Sequence, residues 1–170
     1  GLGGLGLLTA RWMAERGARS IILTGRTPPG PEQVVRINEL ERAGTRVRVI
    51  PADVSDAGEV DRLLEKIGDR LPPLRGIVHA AGVLDDGILL NLTWERFSKV
   101  MAPKVKGAWN LHALTVSRNL PLDFFVLFSS VASLLGNGGQ AGHAAANAFL
   151  DALAHHRRAR GLPGLSINWG

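Results

Sequence analysis

Residues 1–6 read Gly1-Leu2-Gly3-Gly4-Leu5-Gly6, a G-x-G-x-x-G loop opening onto a segment of helical apolar spacing over residues 5–16. In such a loop the first glycine permits a tight turn and the second lets backbone approach a pyrophosphate. The third lets the helix pack on a strand. A phosphate placed there meets the positive end of the helix. Taken alone, the loop is equally well read as an ordinary glycine-rich turn. The stretch that follows decides between the two. Gly17 closes the helix, and Ser20-Ile21-Ile22-Leu23-Thr24 is a β-branched strand candidate. Its end carries Thr24-Gly25-Arg26, with Arg26 twenty residues after Gly6 and no carboxylate in the turn. An acidic residue about 20 positions on would bind a ribose 2′-hydroxyl, whereas an arginine suits a 2′-phosphate, so these residues favour NADPH over NADH.

The alternation continues outward. Residues 31–43 are polar and helical and end at Gly44, and residues 46–50 (RVRVI) alternate as a strand. Ser55 is placed to cap a helix over residues 56–69. Residues 75–79 form the next strand, and residues 94–117 are helical with a break at Pro103. Residues 124–129 (FFVLFS) read as a buried strand, residues 140–160 as a long helix and residues 165–168 as a last strand. Strands alternating with helices at this spacing predict an α/β doubly wound parallel sheet covered on both faces. A ligand of such a sheet lies at the strand C-termini, where Asp53-Val54 and His79-Ala80-Ala81-Gly82 occur. Asp53 serves equally well as an ordinary acid at a helix entry.

Composition sets the outer bounds. The 170 residues suffice for about one domain, and no apolar run approaches the roughly 20 residues of a membrane span. Cysteine is absent, which excludes disulfides and thiolate chemistry. Tyrosine is absent too. Net charge is +5 with sixteen arginines, but they are scattered. The cluster His155, His156, Arg157, Arg158 and Arg160 closes a helix, where cations suit the macrodipole. No nucleic-acid, membrane or metal partner is expected. No signal segment is visible and a cytoplasmic location is expected. Because the chain opens inside a glycine loop and stops just after a strand, it reads as a piece of a longer protein.

The stretches GLGGLGLLTARWMAERGAR, ILTGR, ADVSD, GIVHAAGVLDDG, APKVKGAWNLH, FVLFSSVASLLGN and AAANAFLDALAHHRRARGLPGLSINWG span nearly the whole chain. In this order they resemble the short-chain dehydrogenase/reductase superfamily, and more narrowly the ketoreductase domains of modular type I polyketide synthases. The resemblance implies a Rossmann-like doubly wound fold, truncated at both ends: a strand precedes Gly1 in the family and a substrate lid follows Gly170. It implies that residues 1–170 are a single NADPH-binding catalytic unit of a larger multidomain chain. The implied reaction is NADPH-dependent reduction of a β-ketoacyl group to a β-hydroxyacyl group. The implied partners are an acyl carrier protein bearing the phosphopantetheine-linked β-ketoacyl chain and neighbouring synthase domains of the same chain. The implied cofactor residues are Gly1, Gly3, Gly6, Arg26, Asp53, Val54, Ala80, Ala81 and Gly82.

The resemblance also assigns the chemistry. In the wider superfamily Ser is followed thirteen residues later by Tyr and four more by Lys; in polyketide ketoreductases Asn takes the Lys position and the Lys comes from the preceding helix. Here Ser130 is followed by His143 and Asn147, with Lys104 in Pro103-Lys104-Val105-Lys106-Gly107. Lys104 rather than Lys106 matches the motif. Ser130 would hold the carbonyl oxygen, and a Tyr would protonate it with its pKa lowered by Lys and cofactor. That position is His143. An imidazole, with a pKa near 6.5, is acidic enough, but it is shorter than a phenol and its cationic form is disfavoured beside Lys104. Three readings stay open: a redox-silent domain, a slower acid working directly or through water, or a sequence change from Tyr. A redox-silent domain would serve as a scaffold holding neighbouring domains in place, and some silent relatives also epimerise α-methyl groups.

Leu84-Asp85-Asp86 matches the LDD motif of B-type ketoreductases, which give D-configured products, and position 135 is Leu instead of the A-type Trp. The plainer alternative for Asp-Asp-Gly is a turn. Trp12, Trp94, Trp109 and Trp169 are expected to pack locally, and His112 to lie at a surface or half-buried helix position.

Overall fold

Helices and strands alternate as the apolar spacing predicts, and each strand pairing is parallel. The computed structural model describes residues 1–170, with the side chain of Arg70 left aside. Contacts divide the chain into two compact units, Gly1–Asp53 and Val54–Gly170.

The first unit runs α1 (Gly4–Glu15), β1 (Ser20–Leu23), α2 (Pro31–Arg42), β2 (Arg46–Val49). Both helices end where the sequence places a glycine in the left-handed region, at Gly17 (φ 95°) and Gly44 (φ 92°). Gly17 N–H donates to the Ala14 carbonyl and Ala18 N–H to that of Met13, so the orphan carbonyls of α1 are satisfied; Gly44 and Thr45 do the same for Glu41 and Leu40. Pro31 starts α2 at its first position, where the missing N–H costs nothing. β1 and β2 pair from Ser20↔Arg46 to Leu23↔Val49. Leu7 and Ala10 of α1, Ile21 and Leu23 of β1, Ile37 and Leu40 of α2 and Val47 of β2 form the core.

The second unit begins with α3 (Ala57–Arg70), continues through β3 (Gly76–His79), α4 (Trp94–Met101), α5 (Gly107–Ser117) and β4 (Phe124–Ser130), and ends with α6 (Ala132–Leu135), α7 (Ala141–Ala159) and β5 (Leu165–Trp169). The strand order is β3-β4-β5. Gly76 faces Phe124 across the first pairing, and a Cβ there would collide with the Phe124 ring. α7 packs on β4 and β5, and Val60, Val100, Phe125, Leu127, Ala146 and Leu150 are buried. Apart from Ala146, each of these apolar side chains contributes about 1.5–3 kcal/mol by leaving water.

Three local expectations are corrected here. The cap of α3 is Asp56, whose carboxylate accepts from the Glu59 N–H at 2.8 Å; Ser55 precedes it. Pro103 does not break the 94–117 segment. Residues Ala102–Lys106 form a π-helical turn joining α4 to α5, which absorbs the missing proline N–H without ending the helix. His112 is buried, with 2% of its surface exposed, and so is Arg157. Arg157 lies 3.9 Å over the Phe125 ring, donates from Nε to the Pro163 carbonyl at 2.7 Å and sits 2.9 Å from His112 Nδ1. Because a guanidinium only donates, that His112 nitrogen is the acceptor and the ring is neutral. The tryptophans do pack locally despite their exposure: Trp94 stacks on Phe97, Trp169 meets Phe128 edge-on, Trp109 tilts against His112 and Arg16 covers Trp12.

Candidate active site

In the first unit the glycine loop is a cradle of bare backbone. A Cβ on Gly6 would collide with the Gly1 carbonyl oxygen, and one on Gly1 would lie 3.0 Å from the Thr24 carbonyl oxygen. Gly3 is the N-cap of α1, no side chain caps that end, and no acidic residue lies in the first turn. The helix therefore presents N–H groups and positive potential with nothing of its own to quench them. A Cβ on Gly3 meets nothing within 4 Å. Thr24 Oγ1 is buried without a partner, and Arg26 two residues on is exposed. These residues fit a dinucleotide phosphate. Asp53, half-buried, closes this unit.

In the second unit the chemistry gathers around Lys104. The π-helical turn points Lys104 inward and leaves Lys106 exposed. The Lys104 ammonium donates to the Phe128 carbonyl oxygen at 2.8 Å. Burial lowers its pKa to about 8, against the pull of the Asp151 charge. A Cβ on Gly82 would lie 3.1 Å from Lys104 Cε, so the small residue after β3 lets the lysine stem pass. Ala80 and Ala81, in the same loop, are half-buried. His79 Nε2 lies 3.0 Å from the Pro103 carbonyl oxygen, an acceptor, so Nε2 carries the proton. Burial first and the Lys104 charge second push His79 down to about 4. It is a neutral strut. Val54, also buried, gives its carbonyl to Asn110 Nδ2 at 2.9 Å.

Ser130 ends β4. Its Oγ accepts from the Ala132 N–H at 3.2 Å, which leaves the hydroxyl proton free to be donated. His143 and Asn147 lie one turn apart on α7 and so share a face. Asn147 is wholly buried and donates from Nδ2 to the His143 carbonyl at 2.8 Å. Two atoms on this face are buried without a partner, His143 Nδ1 and Asn147 Oδ1. Desolvation and then the Lys104 charge lower the His143 pKa, while Asp86 acts against them. The imidazole is therefore neutral at pH 7.

The Leu84–Asp86 segment divides its work. Leu84 is exposed. Asp85 is held by Arg96 at 2.7 Å and Lys99 at 3.2 Å, and these cations keep its carboxyl below the usual range. Asp86 accepts from Gln140 Nε2 at 2.8 Å, and the Gly87 N–H donates to the Gly139 carbonyl at 2.8 Å. This loop is thereby tied to the turn leading into α7 and His143. Sequence reading missed one group, Ser133, Asp151, Ser166 and Asn168, whose hydrogen bonds converge at the end of β4. Asp151, eight residues after His143, was legible as the next position on that helix face.

Among the described residues no His, Asp and Glu cluster could hold a metal ion, and no helix is long and apolar enough to cross a membrane.

The sequence pattern of the KR domain family matches residues 1–170. The chain is 46% identical over all of its 170 residues to a phenolphthiocerol/phthiocerol polyketide synthase polypeptide of Mycobacterium tuberculosis (strain ATCC 25618 / H37Rv), of which it spans 8%. It is 44% identical over all of its length to the phthioceranic/hydroxyphthioceranic acid synthase of Mycobacterium bovis (strain BCG / Pasteur 1173P2), again spanning 8%. Among solved structures, an N-terminal ketoreductase from the macrolactin assembly line superposes with a TM-score of 0.93 at 40% identity, covering 99% of this chain and 35% of that one. A ketoreductase domain from the bacillaene assembly line gives 0.93 at 42% identity, covering 99% and 42%. From its glycine loop through Lys104 to the end of β5, the chain belongs to the KR domain family, the ketoreductase domains of polyketide synthases.

Proposed function

We propose that this domain reduces a β-ketoacyl group, presented on the phosphopantetheine arm of an acyl carrier protein within a multidomain synthase, to a D-β-hydroxyacyl group with NADPH. Domains of this family use nicotinamide cofactors. The preference for NADPH rests on Arg26 and the absence of a carboxylate in its turn, and the D configuration on Leu84-Asp85-Asp86. Gly1, Gly3 and Gly6 would hold the pyrophosphate, and Asp53, Val54, Ala80, Ala81 and Gly82 supply small or polar positions at strand ends. NADPH, when bound, supplies a hydride to the carbonyl carbon, and the oxygen then gains one proton from the protein.

The observation that carries this reading is Lys104, a buried ammonium held by a main-chain carbonyl, whose charge acts on His143. Ser130 keeps a hydroxyl proton to donate to the carbonyl oxygen as negative charge grows there. His143 gives the proton and Asn147 holds the His143 main chain. Proton donation requires the imidazolium, and burial beside Lys104 makes that form scarce at neutral pH. The same fact favours a second reading, a redox-silent domain that keeps its fold and cofactor site as a scaffold. A single-turnover reaction separates them. The reductase reading expects a D-β-hydroxyacyl product from a β-ketoacyl phosphopantetheine thioester and NADPH, resolved by chiral chromatography. The silent reading expects NADPH binding with no product.

A further inference from the structure

Asp151 lies on the α7 face that carries His143 and Asn147, four residues beyond the latter. Its carboxylate faces neutral donors. Ser166 Oγ donates to Oδ1 through a short bond, and Ser133 Oγ and Asn168 Nδ2 reach Oδ2 at 2.6 and 3.1 Å. Those donors in turn hold the end of β4. Ser133 Oγ shares its single proton with the Ser130 carbonyl at 2.8 Å. Asn168 Nδ2 lies 2.9 Å from Ser133 Oγ and 3.3 Å from both Ser129 Oγ and the Ser130 carbonyl. The carboxylate thus anchors the main chain of Ser130 through two intermediaries.

Its second connection is electrostatic. The Lys104 charge acts on His79 of β3 and His143 of α7, Asp151 of α7 acts on Lys104, and Asp86 in the loop after β3 acts on His143. Both histidines are neutral at pH 7, and of the two carboxylates Asp151 is the one whose charge acts on Lys104 itself. Desolvation raises the carboxyl pKa of Asp151, but hydrogen bonds from Ser133, Ser166, Ser129 and Asn168 overcome it, and the group is ionised. A buried ammonium with one main-chain acceptor is otherwise costly to keep charged.

We propose that Asp151 is a positioning residue of the reduction site, fixing the Ser130 turn through Ser133 and Asn168 and supplying the negative charge that retains the Lys104 ammonium. This deepens the reductase reading and rests on it for its kinetic part. Two readouts separate their failures. With [13Cε]lysine-labelled protein, four lysines are followed and Lys104→Met identifies the resonance. In Asp151→Asn the Lys104 midpoint moves below its value near 8, and in Asp151→Glu it returns. In parallel, kcat for a β-ketoacyl thioester, measured in the His143→Tyr background, falls about 10- to 100-fold in Asp151→Asn while NADPH affinity and KM hold. Should Asp151→Asn not fold, Ser133→Ala decides: it cuts the shorter of the two links to Ser130, so kcat falls and the Lys104 midpoint stays. An unmoved Lys104 midpoint in folded Asp151→Asn, or unchanged kcat in Ser133→Ala, overturns the proposal. A normal lysine response in a protein with no reductase activity, either as it stands or in the His143→Tyr background, overturns the reductase reading instead.

Discussion

The Lys104 ammonium donates to the Phe128 carbonyl oxygen at 2.8 Å from a residue only 7% exposed. An ion held this way gives little net stability, because the cost of desolvating it offsets the bond it makes. Its retention is better explained by chemistry than by folding. Measured in the His143→Tyr background, Lys104→Met is therefore expected to leave the unfolding midpoint nearly unchanged or higher, while reductase activity falls at least about 100-fold, because the lysine charge that opposes an imidazolium lowers the pKa of a phenol. Thermal unfolding and NADPH consumption measured side by side check this. A strongly destabilised but active variant would contradict it.

Arg157 is the opposite case. Its guanidinium is buried among Phe125, Pro163 and His112, with desolvation lowering its pKa to about 10, so it remains charged at pH 7. Arg157→Ala leaves the Pro163 carbonyl and His112 without their donor and opens a cavity. The expected loss is about 3–5 kcal/mol in urea unfolding. A loss under about 1 kcal/mol would place Arg157 among ordinary solvated helix-end cations.

His79 and His112 are both pushed down to about 4, chiefly by burial. Their folded pKa values lie below the unfolded value of 6.5, so the unfolded chain binds more protons between pH 6.5 and 4. Stability is complete above about pH 6.5 and is lost as pH falls toward 4, by up to roughly 3 kcal/mol for each histidine. Urea midpoints at pH 7.5, 6 and 5 should fall in that order. Flat midpoints would show that both rings take up protons in the fold as readily as in the unfolded chain.

Arg26 gives a cofactor prediction that does not involve turnover. Arg26→Ala should weaken NADPH binding by about 10- to 100-fold and leave NADH binding almost unchanged, because only the former carries a 2′-phosphate. Fluorescence titration of both cofactors reads the difference. Equal loss for both would assign Arg26 to the shape of the turn.

Much of this was legible in the sequence where the signal was local. Gly17 and Gly44 mark helix ends because the left-handed conformation they adopt is cheap only for glycine. The strand runs were short and β-branched, and their parallel pairing followed from the helices between them. What failed depended on partners distant in the chain or on backbone detail. Pro103 signals a helix stop because its N–H is missing, and nothing local announces a π-helical turn that tolerates it. His112 and Arg157 are 45 residues apart, so neither the polarity of the first nor the basic cluster around the second shows that they bury one another. The Asp151 group draws on α6, α7 and β5 for the same reason. The four-residue α6 is too short to carry a periodicity at all.

The most direct test of the central claim compares the protein with His143→Tyr, following NADPH consumption with a β-ketoacyl thioester from pH 6 to pH 8. His143 is held neutral by burial and Lys104, so turnover should rise as pH falls, approaching tenfold per unit. His143→Tyr should exceed it at pH 7 by about 100-fold or more and lack that acid dependence. Equal rates in the two proteins across this range would contradict the account, because the residue at position 143 would then not be supplying the proton.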